Sequence, residues 1–120
     1  MSTTISGTNG VTFPDSTSMQ TGQQACKAWV NFNGTGTVAI RESYNVSTIT
    51  DNGTGDYTVN FTTAMVDANY SAIGSGGDGG NGVRSPGATT YTTGSFRFPV
   101  RNLDNGLTDP VFMNVTIFSN

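Results

Sequence analysis

Ala25-Cys26-Lys27-Ala28-Trp29-Val30-Asn31-Phe32-Asn33-Gly34-Thr35-Gly36 is the stretch on which the reading of the fold turns. Cys26, Ala28, Val30 and Phe32 fall on one side of an extended chain, and Lys27, Trp29 and Asn31 on the other. That period of two is the signature of a half-buried strand. Trp29 is out of phase with the apolar side, so it points away from the core. Asn33-Gly34-Thr35-Gly36 then reads as a turn, because Asn-Gly readily takes the positive φ angles of tight hairpins.

Working outward, Thr37–Arg41 places Val38 and Ile40 on a common face. A second Asn-Gly turn, Asn52-Gly53-Thr54-Gly55, leads into Asp56–Thr62, where Tyr57, Val59 and Phe61 alternate with Thr58 and Asn60. The two turns predict two hairpins of a β-meander or a sandwich. Asn69–Gly74 reads as a short strand carrying Tyr70 and Ala72 on one face. Ser75–Pro86, dense in glycine, is predicted as a long surface loop. Thr89–Arg101 resumes strand alternation with Phe96, Phe98 and Val100 in phase, and Leu103–Pro110 is turn-rich. Val111–Phe118 is apolar on both sides, which predicts a central strand or one sandwiched between subunits. Residues 1–24 are polar and punctuated by Pro14 and Asp15, and are expected to be an extended N-terminal arm or stem before a domain at 25–120. No stretch has useful helical periodicity, so the predicted class is all-β.

Composition narrows the function. The 120 residues include 20 Thr, 16 Gly, 12 Asn and 11 Ser, about half the chain, while hydrophobic residues are 34 % and charged residues 11 %. Net charge is only −3, which separates the chain from disordered sequences of high charge. A core built from so little apolar material is thin, and oligomerisation is one remedy. No histidine is present and Cys26 is the single cysteine. Ser-His-Asp and Cys-His catalysis, an internal disulfide and most zinc sites are therefore excluded. Five basic residues and a pI near 4.4 leave no phosphate-tracking surface, which argues against nucleic acid. The segment 1–10 lacks the basic and apolar regions of a secretory signal.

The residues that remain are candidates for binding. The eight carboxylates sit mostly beside Gly, Asn or Pro, where Asp caps turns, and turn-capping outweighs a glycosidase pair. The glycine-dense run lacks the Lys of a phosphate loop and the acidic repeat of a calcium site. Exposed aromatic rings can stack on sugar C–H faces while Asn, Asp and Arg read hydroxyls. By phase, Tyr57 and Tyr70 belong to the core, leaving Tyr44 and Tyr91 as sugar-contact candidates, with Asp78, Asn81 and Arg84 in the glycine-rich loop. Trp29, Phe112 and Phe118 are the candidates for a subunit interface. No catalytic, cofactor or metal residue is assigned.

Ile5-Ser6-Gly7-Thr8-Asn9-Gly10-Val11-Thr12-Phe13-Pro14-Asp15 resembles a short linker found in phage fibre and virion-structural proteins. Ala28–Arg41, followed by Tyr57-Thr58-Val59-Asn60-Phe61 and the ending Val115-Thr116-Ile117-Phe118, resembles the tip domain of bacteriophage tail fibres and related virion appendages. The resemblance implies an antiparallel, jelly-roll-like β-sandwich, homotrimeric, with no catalytic motif and with receptor contact at loops. The expected function is attachment of the virion to a host-surface receptor, a glycan or an outer-membrane protein, after synthesis in the host cytoplasm. The alternative is a purely structural virion protein, such as a capsid decoration or head-fibre component. A glycan-depolymerising enzyme is the third class weighed.

Overall fold

The computed structural model describes residues 3–7, 10–19, 26–77, 83–84 and 90–119. These form strands numbered β1 to β13 in chain order and no helix. The opening alternation is β4 (Cys26–Asn33), and the two-sided apolar stretch is β13 (Phe112–Phe118). They pair antiparallel, with Phe32 opposite Met113 and Val30 opposite Val115. β5 (Ala39–Tyr44) flanks β4 and β8 (Ser71–Gly77) flanks β13, in the order β5-β4-β13-β8. β13 is thus central within its own sheet, one of the two positions its composition allows.

The second sheet is built from β6 (Val46–Gly53), β7 (Asp56–Phe61), β10 (Thr90–Tyr91) and β11 (Ser95–Pro99), in the order β10-β11-β7-β6. Both sheets are antiparallel throughout. Ala28, Val30, Phe32, Met113, Val115 and Ile117 of the first sheet share one core with Tyr57, Val59, Phe61, Phe96 and Phe98 of the second. Phe32 meets Tyr57 edge-on with centroids 5.2 Å apart, and Phe96 stacks on Phe98 at 5.3 Å. Aromatic rings therefore supply much of the volume that the polar composition withholds.

The strand order differs from a jelly roll. β4–β5, β6–β7 and β10–β11 are hairpins, so consecutive strands stay in one sheet instead of alternating between two. Short turns dictate this, because a tight loop joins only adjacent antiparallel strands. The first turn works differently from the Asn-Gly expectation. Asn33 and Gly34 lie outside the left-handed region and Gly36 carries the positive φ of 60°, while Asn33 Oδ1 accepts hydrogen bonds from the Thr35 amide and hydroxyl. Gly34 serves close approach: a Cβ there would lie 2.5 Å from Tyr57 Oη.

Two further segments depart from the sequence expectation. Among the described residues before 26, β1 (Thr4–Ser6), β2 (Gly10–Thr12) and β3 (Ser18–Met19) pair in a small sheet of their own instead of running as a single extended chain. Asp15 Oδ1 caps the Thr17 amide, and Ser16 takes a φ of 70°, so a local turn folds the stretch back. Part of the glycine-rich run is also strand. Gly74 lies opposite Val115 and Gly76 opposite Met113; β13 supplies the backbone partners that offset glycine's entropy loss. Val83–Arg84 forms β9, paired with β12 (Arg101–Asn102).

Candidate binding face and cleft

The outer face of the β5-β4-β13-β8 sheet follows from register. Trp29 lies opposite Tyr44 on one side and Thr116 on the other, and Thr116 lies opposite Ile73. Tyr44, Trp29, Thr116 and Ile73 therefore make a row across all four strands. Phe112 and Phe118 stand on the same face, since Met113 and Ile117 beside them are fully buried. Exposure is 56 % for Tyr44, 37 % for Trp29, 60 % for Ile73, 48 % for Phe112 and 38 % for Phe118. Next to the apolar row runs a polar one, Glu42–Asn31–Asn114–Ser75. The Arg41 guanidinium lies 4.2 Å over the Phe112 ring and donates to the Val111 carbonyl at 2.6 Å and to Asn31 Oδ1 at 3.2 Å, a cation–π contact.

The outer face of the other sheet is chemically opposite. Asn60 Nδ2 donates to the Thr48 and Thr50 hydroxyls, Asn52 Nδ2 donates to the Thr58 hydroxyl, and Arg97 pairs with Asp56 at 2.6 Å. The Arg97 guanidinium holds the Asp56 carboxyl below its ordinary range. These polar groups are spent on one another. Apart from Tyr91 on β10, the large apolar side chains exposed on strands of the sandwich lie on one sheet.

A single residue, Asn45, links β5 to β6 and carries the chain from one sheet to the other. It takes a φ of 55°, a left-handed geometry that asparagine tolerates. Its Nδ2 donates to the Lys27 carbonyl at 3.0 Å and the Thr63 carbonyl at 3.1 Å, and its Oδ1 accepts from the Thr63 amide at 2.7 Å. The Thr62 amide also donates to the Asn45 carbonyl, and the Met65 amide to Thr93 O. These bonds fix the 62–66 loop against the corner and leave an open cleft of about 460 Å³. Lys27, Tyr44, Asn45, Thr62, Thr63 and Met65 are among its lining. Tyr44 belongs to both the cleft and the apolar row.

The residues singled out from sequence are therefore dispersed. Trp29, Phe112, Phe118 and Tyr44 share one face. Tyr91 lies on β10, an edge strand of the other sheet; its ring packs 5.0 Å from both Tyr70 and Phe96 at the margin of the core and stays 39 % exposed, away from the apolar row. Its phase was hidden because β10 has only two residues. Arg84 lies on β9 opposite Arg101, and Asp78 and Asn81 fall outside the described residues. Tyr57 and Tyr70 are core, as their phase predicts.

Turn-capping describes several carboxylates well. Asp15, Asp51 and Asp67 each accept from the backbone amide two residues on. Asp109 instead caps at long range. Its Oδ1 accepts from the Gly55 amide at 2.8 Å and from the Tyr57 hydroxyl at 2.6 Å, tying the 107–110 segment to β7. Sequence spacing carries no signal for a partner 52 positions away.

No family model, no curated protein and no solved structure matches the chain.

Proposed function

We propose that this domain is a non-enzymatic part of a phage virion appendage, a tail-fibre tip that assembles as a homotrimer and meets a host-surface glycan. The phage assignment rests on the sequence resemblance; the assembly reading is carried by the apolar row on the outer sheet face. At about 200 Å² per large side chain, the exposures of Trp29, Ile73, Phe112 and Phe118 leave on the order of 400 Å² of apolar surface, with Tyr44 at its margin facing the cleft. A typical interface takes roughly 800 Å² from each partner, and the adjoining polar row is placed to provide the rest. A second copy of the chain is the occupant favoured, because the face combines an apolar stripe with a polar rim, the composition of an interface core and its edge. Light scattering should give a mass near three times 12.5 kDa; a mass of 12.5 kDa would overturn assembly.

One observation favours the structural alternative, a capsid decoration or head-fibre component without a receptor. Tyr91, a sugar-contact candidate by sequence, spends part of its ring on Tyr70 and Phe96, which leaves 39 % of the residue exposed on a sheet edge remote from Tyr44. Antibody labelling of virions under the electron microscope separates head from tail. Whole-cell and glycan binding by the purified assembly decides whether a receptor is engaged.

A further inference from the structure

We infer that the cleft between Tyr44 and the 62–66 loop is a sugar subsite selective for a carboxylate-bearing residue; this rests on the glycan-attachment reading and names the ligand class. Its volume of about 460 Å³ lies within the range of small-molecule sites. It is preformed. Asn45 is held by three side-chain hydrogen bonds, and its backbone carbonyl and the Met65 amide anchor the loop that forms the opposite wall.

The lining supplies the groups an acidic sugar needs. Tyr44, 56 % exposed, offers a ring for the C–H face of a pyranose. Among the described residues, no hydrogen bond or ion pair engages the Lys27 ammonium, and the Thr62 and Thr63 hydroxyls have no partner. Lys27 is the one cation of the lining, and no carboxylate lines the cleft beside it. On a protein of net charge −3, a lone cation in a preformed cleft selects locally for an anionic group. The two threonine hydroxyls can pair with ring hydroxyls, and Met65 and Ala64 give an apolar floor. Charge, stacking and hydroxyl recognition converge on one small volume, which distinguishes the cleft from the flat apolar row beside it.

The test is titration calorimetry of the whole purified chain with an acidic oligosaccharide, a uronic-acid trimer, and with its carboxyl-reduced neutral counterpart. The wild type should bind the acidic form at least tenfold more tightly. Lys27→Gln should abolish that preference and leave the weaker neutral binding; Tyr44→Ala should lose both. Both side chains are at the surface, and a thermal melt verifies that each variant is folded. Equal affinity for the two forms, or a preference that survives Lys27→Gln, overturns carboxylate selection while glycan attachment stands. A stronger response to a phosphate-bearing glycan than to the carboxylate also overturns it. If neither that panel nor any host glycan binds, the attachment reading falls as well.

Discussion

Tyr57 shows what one polar atom does in a thin core. Its ring is fully buried, yet its hydroxyl donates to Asp109 and lies 3.0 Å from the Gly34 carbonyl. Removing that hydroxyl takes from the part-buried Asp109 carboxylate one of its two donors and leaves only the Gly55 amide. Tyr57→Phe should therefore lower the unfolding free energy by about 1–3 kcal/mol, read by chemical denaturation. Burial also pushes the Tyr57 hydroxyl well above its ordinary pKa and the Tyr70 hydroxyl up to about 12. In the unfolded chain both ionise near pH 10, so the folded state holds its protons longer than the unfolded state does. Stability from these groups is complete below pH 10; the share of Tyr70 is lost as pH rises through about 12, and that of Tyr57 continues to fall beyond it. The denaturation midpoint should fall across that window, and Tyr70→Phe should flatten the fall; an equal slope in the variant would refute it. Both tyrosines were legible in sequence as core by phase. The Asp109 partner was not, because contacts between distant turns leave no periodic trace.

At the scale of elements, the strands whose burial alternates along most of their length were readable, and β6, shifted in register near both ends, was not. β4, β7, β11 and β13 keep their period and emerge from sequence with their inward faces correct. β6 escapes because Val46 and Ile49 are three residues apart. A register shift between Val46 and Thr48 turns both toward the core, which a period of two cannot anticipate. The corner at Asn45 escapes for a related reason, since its role is set by φ and by hydrogen bonds to segments 18 residues away on either side. Asn45→Ala forfeits both the tolerated geometry and the bonds, and should cost about 2–4 kcal/mol. Asn45→Gly keeps the geometry and should cost less, as thermal melts of the pair will record. Two glycines give a matched comparison. Gly36→Ala meets open space and carries only the conformational penalty of about 1–2 kcal/mol. Gly55→Ala adds a Cβ 2.6 Å from both Thr108 N and Val100 O and should be far worse.

For the whole molecule, the two outer faces divide the work. One is closed by hydrogen bonds among Thr, Asn, Asp and Arg, and the other displays an apolar row. Disrupting that row should leave the fold intact because none of its side chains enters the core. The double variant Trp29→Ser, Phe118→Ser is expected to remain folded by circular dichroism and to scatter light as a monomer. Unchanged mass in the double variant would place the contact elsewhere. Sequence foresaw which aromatics face outward, through phase alone. It did not show that they align with Tyr44 and Ile73, because cross-strand register is a property of the assembled sheet.

The central place of β13 also sets when the sandwich can form. Its partners β4 and β8 are made long before it, and Val30 waits for Val115, 85 positions later. Until β13 leaves the ribosome, β4 and β8 face an empty slot and both inner faces remain wet. Pairings this distant fold slowly, so the nascent domain spends its synthesis with sticky strand edges uncovered. Chain elongation, chaperone occupancy and the local density of sister chains thus become determinants of yield, decided before any fold exists.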